Sequence, residues 1–254
     1  MPKMPRAPLA YKNNGFLDSD DARPLRILAE YLQPLHAFER ERICGTVVFF
    51  GSARLRPEGP LGRYYEDARE LARLVTLWSQ SLSPDMCHFV VCTGGGGGIM
   101  EAANRGAADA GGKSIGLNIG LPHEQQPNAF LSPGLAFEFH YFFMRKLWFA
   151  HLARGLVVFP GGFGTLDELT ELLTLMQTGK IERRVPIVLY GTSYWKEIVD
   201  FDALVRHGMI DAADLDLFRY ADHPAQALAL LQSGASTPPS ERAPAIAHSS
   251  TPGT

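Results

Sequence analysis

The sequence predicts an α/β fold, with a parallel sheet whose strands are joined by right-handed helical crossovers. Short apolar strands alternate with helices along most of the chain, which is typical of such a sheet. Several strands end in a glycine-bearing turn, at the edge of the sheet where α/β proteins bind ligands. The chain has 254 residues, of which 46% are hydrophobic, so it can bury the core of one such domain. We therefore expect a single domain with its site at the carboxyl ends of the strands.

The elements follow in a regular order after an opening helical segment. This segment spans residues 18–42, with an N-cap expected at Asp18 or Ser19. One apolar side runs along it at helical spacing, made of Leu25, Leu28, Leu32 and Leu35. We expect that side either to pack on the chain's own domain or to form a contact between subunits.

Six strands and six helical regions are predicted after this segment. The strands are expected at residues 46–51, 88–94, 113–119, 135–139, 156–159 and 185–191. The helices are expected at residues 62–78, 98–112, 141–153, 166–178, 193–206 and 224–232. Residues 1–17 and 233–254 are polar and broken by proline, so we predict a flexible N-terminus and a disordered tail. Residues 43–232 are then expected to form the main domain of the chain.

Composition excludes several classes of function. The formal charge of −3 offers no basic stripe for nucleic acid. The three cysteines (Cys44, Cys87 and Cys92) form no C-x-x-C pair and no zinc-ligand spacing, so we expect buried thiols in a reducing compartment and no metal site. The N-terminus lacks the apolar core of a signal peptide, and no apolar run is long enough to span a membrane. These features predict a cytoplasmic protein that binds neither nucleic acid nor membrane.

Three glycine-bearing turns fall at strand ends, namely Gly51-Ser52, Gly94 to Gly98 and Gly161 to Gly164. Glycine lets a backbone approach a phosphate closely, and the start of a helix supplies free N–H groups. The second turn is not a P-loop, because Ile99 and Met100 stand where lysine and serine or threonine are needed. A tight turn without a ligand is the alternative for this segment.

The helix predicted at residues 141–153 is apolar on nearly every side, which predicts that it is buried. Arg145 and Lys146 nevertheless lie side by side in its middle. A buried cation requires a partner, so each must meet a protein carboxylate or an anionic ligand. A structural ion pair, or a cation that reaches the surface, is the alternative to a ligand-binding role.

Glu168 has two interpretations. Thr165 and Glu168 fit the T-x-x-E pattern of a capping box, in which both serve the start of the helix. Together with the glycine turn and the Arg-Lys pair, the pattern instead favours a carboxylate that faces a substrate. Glu124 follows a strand end in a proline-containing loop and is either a ligand of ribose hydroxyls or an ordinary solvated residue.

The segment PGGFGTLDE (160–168), with MRK upstream (144–146), resembles the motif of the Lonely Guy family, formerly labelled lysine decarboxylase-like. The resemblance covers residues 46–210, and the opening helical segment is similar to that of the longer bacterial members. It implies a Rossmann-like, doubly wound fold in a homodimer or higher homo-oligomer. It also implies hydrolysis of the N-glycosidic bond of cytokinin riboside 5′-monophosphates, with AMP accepted by many members and no cofactor required.

Site residues follow from the matching motif. Arg145 and Glu168 are the implied catalytic pair. The residues predicted to contact the substrate are Gly51, Ser52, Gly95, Gly96, Glu124, Lys146, Gly161, Gly162, Phe163, Gly164, Thr165, Asp167 and Thr174. In one departure from the shorter members, Ile99-Met100 leads to Glu101 rather than to a second glycine, which leaves the preferred base open.

The implied chemistry agrees with these residue types. Cleavage passes through a ribosyl cation, which a carboxylate such as Glu168 can stabilise while it positions or activates water. The remote 5′-phosphate would supply binding energy for orientation. General AMP or purine nucleotide breakdown is one alternative, and a sensor that binds nucleotide without cleaving it is another. Pyridoxal phosphate chemistry is disfavoured, because no lysine has a context that suggests a Schiff base.

Overall fold

A computed structural model describes residues 7–83, 88–120, 126–181 and 183–235, and its centre is one sheet of seven parallel strands. The strands are β1 (Gly45–Phe50), β2 (Phe89–Thr93), β3 (Ser114–Ile119), β4 (Ala136–Phe139), β5 (Ala153–Val158), β6 (Ile187–Tyr190) and β7 (Phe218–Ala221). Their order across the sheet is β4-β3-β2-β1-β5-β6-β7. The sheet therefore grows outwards in both directions from β1 and β5, which confirms the predicted doubly wound fold.

The register at the centre of the sheet places two crossover loops side by side. Val48 of β1 lies opposite Cys92 of β2 on one side and Leu156 of β5 on the other. The chain changes its winding direction between β1 and β5, so the loops after these strands diverge there. This is the topological switch point at which open α/β sheets form a binding crevice.

Helices cover both faces of the sheet. They are α1 (Asn14–Leu17), α2 (Arg23–Arg40), α3 (Arg63–Ser81), α4 (Ile99–Asp109), α5 (Phe142–His151), α6 (Phe163–Gln177), α7 (Thr192–Ile198), α8 (Phe201–Arg206) and α9 (Pro224–Ala235). Val47 and Phe49 of β1 pack in a core with α3, α4 and α9, while Val48 and Phe50 pack in a second core with α2, α5 and α6. Alternate residues of one strand thus enter opposite cores, which explains why the strand is apolar throughout.

Several boundaries differ from the prediction. Strand β7 is absent from it, because the short edge segment FRYA carries an exposed arginine and lacks a continuous apolar run. The helix expected at residues 193–206 is two helices, and the Asp200 side chain caps the second by accepting a bond from Ala203 N at 2.8 Å. Of the two expected N-cap positions, Ser19 precedes a 3₁₀ turn and makes no side-chain cap bond, and neither Ser19 nor Asp18 is the N-cap residue of α2. A 3₁₀ turn at Asp20–Ala22 comes first, and α2 begins at Arg23.

The opening helix α2 packs on the chain's own domain, but not through its row of leucines. Tyr31 stacks on Trp148 of α5 at 5.4 Å between ring centroids, and Glu30 accepts hydrogen bonds from His140 N and Tyr141 N at 2.8 and 3.3 Å. Of the predicted apolar side only Leu35 packs against the core. The other three leucines stay about half exposed, at 49% for Leu25, 50% for Leu28 and 48% for Leu32.

The cysteines agree only partly with the expectation of buried thiols. Cys92 is fully buried in the core, and burial raises the pKa of its thiol. Cys44 is exposed and disulfide-bonded, so for this residue the expectation is wrong. Cys87 lies outside the described residues. Within the described ranges, no helix combines the length and apolar character needed to cross a membrane.

Candidate active site

A cavity of about 1080 Å³ opens where the loops after β1, β2 and β5 meet. It therefore lies at the switch point of the sheet. Its walls come from Phe50, residues 51–56 and 59–61 of the loop after β1, Gly94, Met100, Arg145, Phe149, the turn at residues 160–166, Glu168, Tyr194 and Ile198. Most of these side chains are apolar, and the charged groups are few, which is typical of a small-molecule site.

Helix α6 begins at this cavity and does so without a side-chain cap. Gly162 is its N-cap residue and Phe163 its first helical residue, three positions before the predicted start at Leu166. Thr165 and Glu168 consequently lie within the helix, and the capping-box interpretation is wrong. The first N–H groups of a helix have no partner within it and carry partial positive charge. Since residues 161–165 line the cavity, this start of α6 can bind an anion there.

Arg145 and Glu168 form a buried ion pair on the cavity wall. Arg145 Nη2 donates to Glu168 Oε1 at 2.6 Å, and the two side chains are only 13% and 7% exposed. The guanidinium lies 5.5 Å from the ring centroids of both Phe142 and Phe149. Arg145 Nε has no hydrogen-bond partner among the described residues. The pair is thus largely withdrawn from solvent, and one buried donor of the guanidinium has no partner among the described residues.

Burial raises the pKa of Glu168 above its ordinary value of 4.5, and the charge of Arg145 opposes this rise. Desolvation disfavours the carboxylate, whereas a neighbouring cation favours it. Glu168 is consequently less acidic than a solvated glutamate but still has a cation beside it. A carboxyl group in this state can exchange a proton at a pH nearer neutrality, which suits acid–base chemistry.

Lys146 does not line the cavity and is held by two carboxylates of α6. Its Nζ lies 2.8 Å from Asp167 Oδ1 and 3.0 Å from Glu171 Oε2. The sequence left open whether the two cations of α5 meet protein carboxylates or an anionic ligand. In the structure both meet protein carboxylates. The expectation that α5 is buried holds for one side only, because Phe142 is 51%, Phe143 49% and Leu147 39% exposed.

The loops after β1 and β2 are tied together behind the cavity. Ile99 N donates to Ser52 O at 3.1 Å, and Gly98 has a φ of 63°. A Cβ on Gly98 would collide with Ser52 O, so only glycine fits this crossing. Gly95 and Gly96 are buried beneath the turn, and their carbonyls accept from Asn128 Nδ2 at 3.0 and 2.9 Å. These bonds fix the turn, which brings Gly94 to the cavity wall.

The structure brings together the predicted catalytic pair and the predicted contacts at Gly51, Ser52 and residues 161–165, all of which line the cavity. Gly95, Gly96, Lys146, Asp167 and Thr174 do not line it, so contact between them and a substrate stays a prediction. Thr174 is exposed and donates to Thr170 O at 2.8 Å. Glu124 lies outside the described residues.

Three polar residues of the cavity wall were not predicted as site residues. Tyr194 donates its hydroxyl proton to Gly161 O at 2.7 Å and so holds the glycine turn, although no local sequence signal marks it. Arg54 and Arg56 line the cavity from the loop after β1. Their signal is present in the sequence, since two arginines follow directly on the turn Gly51-Ser52.

Two glycines of the turn at residues 161–164 are expected to respond differently to substitution. A Cβ on Gly164 meets no atom within 4 Å, whereas a Cβ on Gly161 would overlap Thr165 Oγ1. Gly164→Ala should keep or raise stability, because alanine favours a helix by up to about 1 kcal/mol. It should nevertheless weaken ribose 5-phosphate binding about tenfold, by removing room over the start of α6.

Gly161→Ala is the matched variant and should instead lose about 1–3 kcal/mol of unfolding free energy through overpacking. Urea unfolding and calorimetric titration with ribose 5-phosphate separate the two effects. Unchanged phosphate affinity in a folded Gly164→Ala protein would remove the turn from the binding site.

Comparisons with known proteins show the family to which the chain belongs. A model of the family described as "Possible lysine decarboxylase" matches residues 100–231. A rice protein (Oryza sativa subsp. japonica) named as the probable cytokinin riboside 5′-monophosphate phosphoribohydrolase LOG4 is 29% identical over 148 residues, which span 58% of this chain and 63% of the rice protein. The Arabidopsis thaliana enzyme of the same name is 28% identical over 172 residues, or 66% of this chain and 71% of that protein.

Solved structures show the same fold at low sequence identity. The structural-genomics target TM1055 has a TM-score of 0.53 and 22% identity, over 74% of this chain and 99% of that chain. A molybdenum cofactor binding protein from Rippkaea orientalis has a TM-score of 0.50 and 20% identity, over 76% of this chain and 97% of that chain. At these identities the likeness concerns the fold alone.

Proposed function

The chain belongs to the Lonely Guy family, the "Possible lysine decarboxylase" family of the matching model, and from this premise we propose that it hydrolyses adenine riboside 5′-monophosphates. The products are the free base, with a cytokinin as the proposed base, and ribose 5-phosphate. We propose residues 43–232 as the catalytic domain and a cytoplasmic location. No cofactor is required in this reaction.

One observation carries the proposal, namely the buried pair of Arg145 and Glu168 on the wall of the cavity. A module that only senses a nucleotide needs cations and glycine turns, but it has no need of a desolvated carboxylate. Burying a carboxylate is costly even beside a cation. A glutamate that is 7% exposed at the edge of an open cavity therefore supports turnover over simple binding.

The proposed mechanism is a displacement by water at the anomeric carbon. Departure of the base leaves positive charge on the ribose, and the Glu168 carboxylate stabilises that charge. The same carboxylate accepts a proton from the attacking water, while Arg145 holds it in position through the bond at 2.6 Å. The C–N bond breaks, a C–O bond forms, and a proton from solvent neutralises the departing base.

Phosphate binding completes the proposal. The start of α6 and the turns that line the cavity accept the 5′-phosphate, a part of the substrate that does not react. Binding energy from such a remote group orients the reacting atoms and raises the rate. Decarboxylation is not supported by this arrangement, because Lys146, the lysine nearest the cavity on α5, is engaged by two carboxylates.

Phosphate dependence is the direct test of this function. Base release is measured from isopentenyladenosine 5′-monophosphate and AMP in parallel, with the two nucleosides as phosphate-free controls. We expect kcat/KM at least about 100-fold higher for the monophosphates, because the remote phosphate contributes charged hydrogen bonds. The ratio between the two monophosphates separates cytokinin activation from general nucleotide breakdown. Nucleotide binding without release of base from either substrate would contradict the hydrolase and leave the sensor.

We also propose that the protein is a homodimer or higher homo-oligomer. Helices α2 and α5 pack on each other and present exposed apolar side chains, which are Leu25, Leu28, Leu32, Phe142, Phe143 and Leu147. Several large apolar side chains exposed on two packed helices are typical of a subunit interface. A second copy of the chain is the occupant that the family resemblance implies.

A charge in this surface is expected to dissociate the oligomer. Leu28→Glu should shift the protein to a monomer, because it places a charge in the apolar interface. Leu77→Glu is the matched control, since Leu77 is 42% exposed on α3, which packs on the opposite face of the sheet. Light scattering after gel filtration gives the mass of each variant. A monomeric unsubstituted protein, or an unchanged mass of Leu28→Glu, would contradict the proposed interface.

A further inference from the structure

Two arginines of the cavity have no carboxylate partner within the described ranges. Arg54 and Arg56 are exposed and line the cavity from the loop between β1 and α3. No ion pair of either guanidinium occurs among the described residues, whereas Arg145 is paired with Glu168 and Lys146 with two acids. The two arginines are therefore the cations of this site that are still available for an anionic ligand.

The charge balance of the cavity also calls for an anion. Its charged lining residues are Arg54, Arg56, Arg145 and Glu168, so three positive charges and one negative charge leave a net charge of +2. Arg145 and Glu168 cancel each other, and the surplus belongs to the two arginines of the loop. A phosphate monoester carries about −1.5 to −2 charges at pH 7, which matches this surplus.

The loop that carries these arginines is held in place on both sides. Arg54 N donates to Ser52 Oγ at 3.1 Å, and Gly59 N donates to Arg56 O at 3.1 Å. Leu55, between the two arginines, is only 7% exposed and anchors the loop in the core beside α3 and α4. Anchoring at Leu55 leaves both neighbouring guanidinium groups at the cavity.

Arg56 also lies against the second glycine turn. Its Nη1 is 3.5 Å from the point that a Cβ on Gly97 would occupy, so the guanidinium lies over the turn just before α4. Guanidinium groups bind phosphate through paired, charge-assisted hydrogen bonds. The loop arginines and the start of α6 thus border the same cavity.

We propose that Arg54 and Arg56 bind the 5′-phosphate of the substrate and so select nucleoside monophosphates over nucleosides. Neither residue belongs to the PGGFGTLDE and MRK motifs that place the chain in its family. In this arrangement the phosphate lies between the loop after β1 and the glycine turn after β5, with the ribose directed to Glu168. The inference deepens the proposed hydrolase function and rests on it.

The test uses Arg54→Gln, Arg56→Gln and the double variant, with Arg73→Gln as the matched arginine control. Arg73 lies on α3 and pairs with Glu70, away from the cavity. KM and kcat for AMP are measured together with calorimetric titration of ribose 5-phosphate. Each single substitution should raise KM and the dissociation constant about tenfold, and the double variant more, with kcat changed only a few-fold. Arg56→Lys should lose less affinity than Arg56→Gln, because lysine keeps the positive charge but lacks the paired hydrogen-bond donors of a guanidinium.

The outcomes separate this inference from the proposed function. Unchanged KM in the double variant, or an equal loss with adenosine as the substrate, would overturn the role of the arginines while leaving the hydrolase intact. If the unsubstituted protein releases no base, the proposed function fails, and the ribose 5-phosphate titration alone decides the inference. Weaker binding in the variants then supports it, and equal binding overturns it. Unfolding midpoints equal to that of Arg73→Gln show that the effects are not losses of folding.

Discussion

Glu168→Gln is expected to lower kcat for base release by about three orders of magnitude, within the range that positioned acid–base groups contribute. Glutamine keeps the shape of the side chain, and its carbonyl oxygen can still accept the bond from Arg145 Nη2. It cannot carry the negative charge that stabilises a ribosyl cation, nor accept a proton from water. AMP binding should change little, because the phosphate contacts lie elsewhere in the cavity.

Circular dichroism and an AMP titration of the same variant make this prediction specific. Gly162, and not Thr165 with Glu168, begins α6, so the substitution removes no cap and the helix should persist. Thr170→Val is a suitable control on the same helix, since its hydroxyl donates to Leu166 O at 2.8 Å and does not line the cavity. Loss of folding in Glu168→Gln, in step with its loss of activity, would instead assign Glu168 a structural role.

The pH profile tests the protonation state of Glu168. Burial raises its pKa above the ordinary 4.5, and the proposed mechanism requires the carboxylate. The rate should therefore fall on the acidic side of the profile, as Glu168 takes up a proton at a pH above 4.5. The Glu168→Gln variant should not show this acidic decrease. In the folded state Glu168 also keeps its proton to a higher pH than in the unfolded state. The stability that this group contributes is thus present below 4.5 and lost as the pH rises through the raised pKa.

Much of the fold could be predicted from the sequence, because the strands that matter are buried on both faces. Continuous apolar runs such as the one in β1 leave little choice of structure. Strand β7 could not be predicted in the same way. It is an edge strand of four residues in which only the first and the last are buried, so its sequence has neither an apolar run nor an alternating pattern. Alternation of strands and helices indicated a parallel sheet with right-handed crossovers, whereas the order of the strands around β1 and β5 was not predicted.

The start of α6 shows where local pattern and tertiary packing disagree. T-x-x-E is a genuine start signal, and it occurs here three residues inside a helix whose N-cap is a glycine. Packing against α5 turns Glu168 inward, and no local pattern reports such a contact over 23 residues. The pairing of Arg145 with Glu168 was therefore expected only from the family resemblance, and the spacing of the residues in the sequence did not indicate it.

Exposure on α5 was missed for a related reason. An apolar helix predicts burial, but a sequence does not say whether the same chain supplies the covering surface. Met144, Trp148 and Phe149 pack inwards, while Phe142 and Phe143 remain about half exposed. Arg54 and Arg56 were not predicted as site residues. The role proposed for them in phosphate binding depends on the absence of a carboxylate partner, and a sequence does not show which carboxylates lie near a given arginine.

Arg145→Met is expected to have the largest effect on stability. The substitution keeps an apolar stem between Phe142 and Phe149 but leaves Glu168 buried without its cation. Breaking one side of a buried pair costs about 3 kcal/mol. In the Glu168→Gln background the same substitution should cost only about 1 kcal/mol, because no buried charge is left uncompensated.

Urea unfolding of both single variants and the double variant at pH 7 measures this coupling. Without Arg145 the pKa of Glu168 rises further, since the cation opposed the effect of burial. The lost stability of Arg145→Met should therefore return as the pH falls and Glu168 takes up its proton, whereas the double variant should not show this recovery. Strictly additive losses, with no recovery at low pH, would mean that the two side chains act independently. In that case the short contact would be a consequence of packing, and Glu168 would depend on other groups for its position at the cavity.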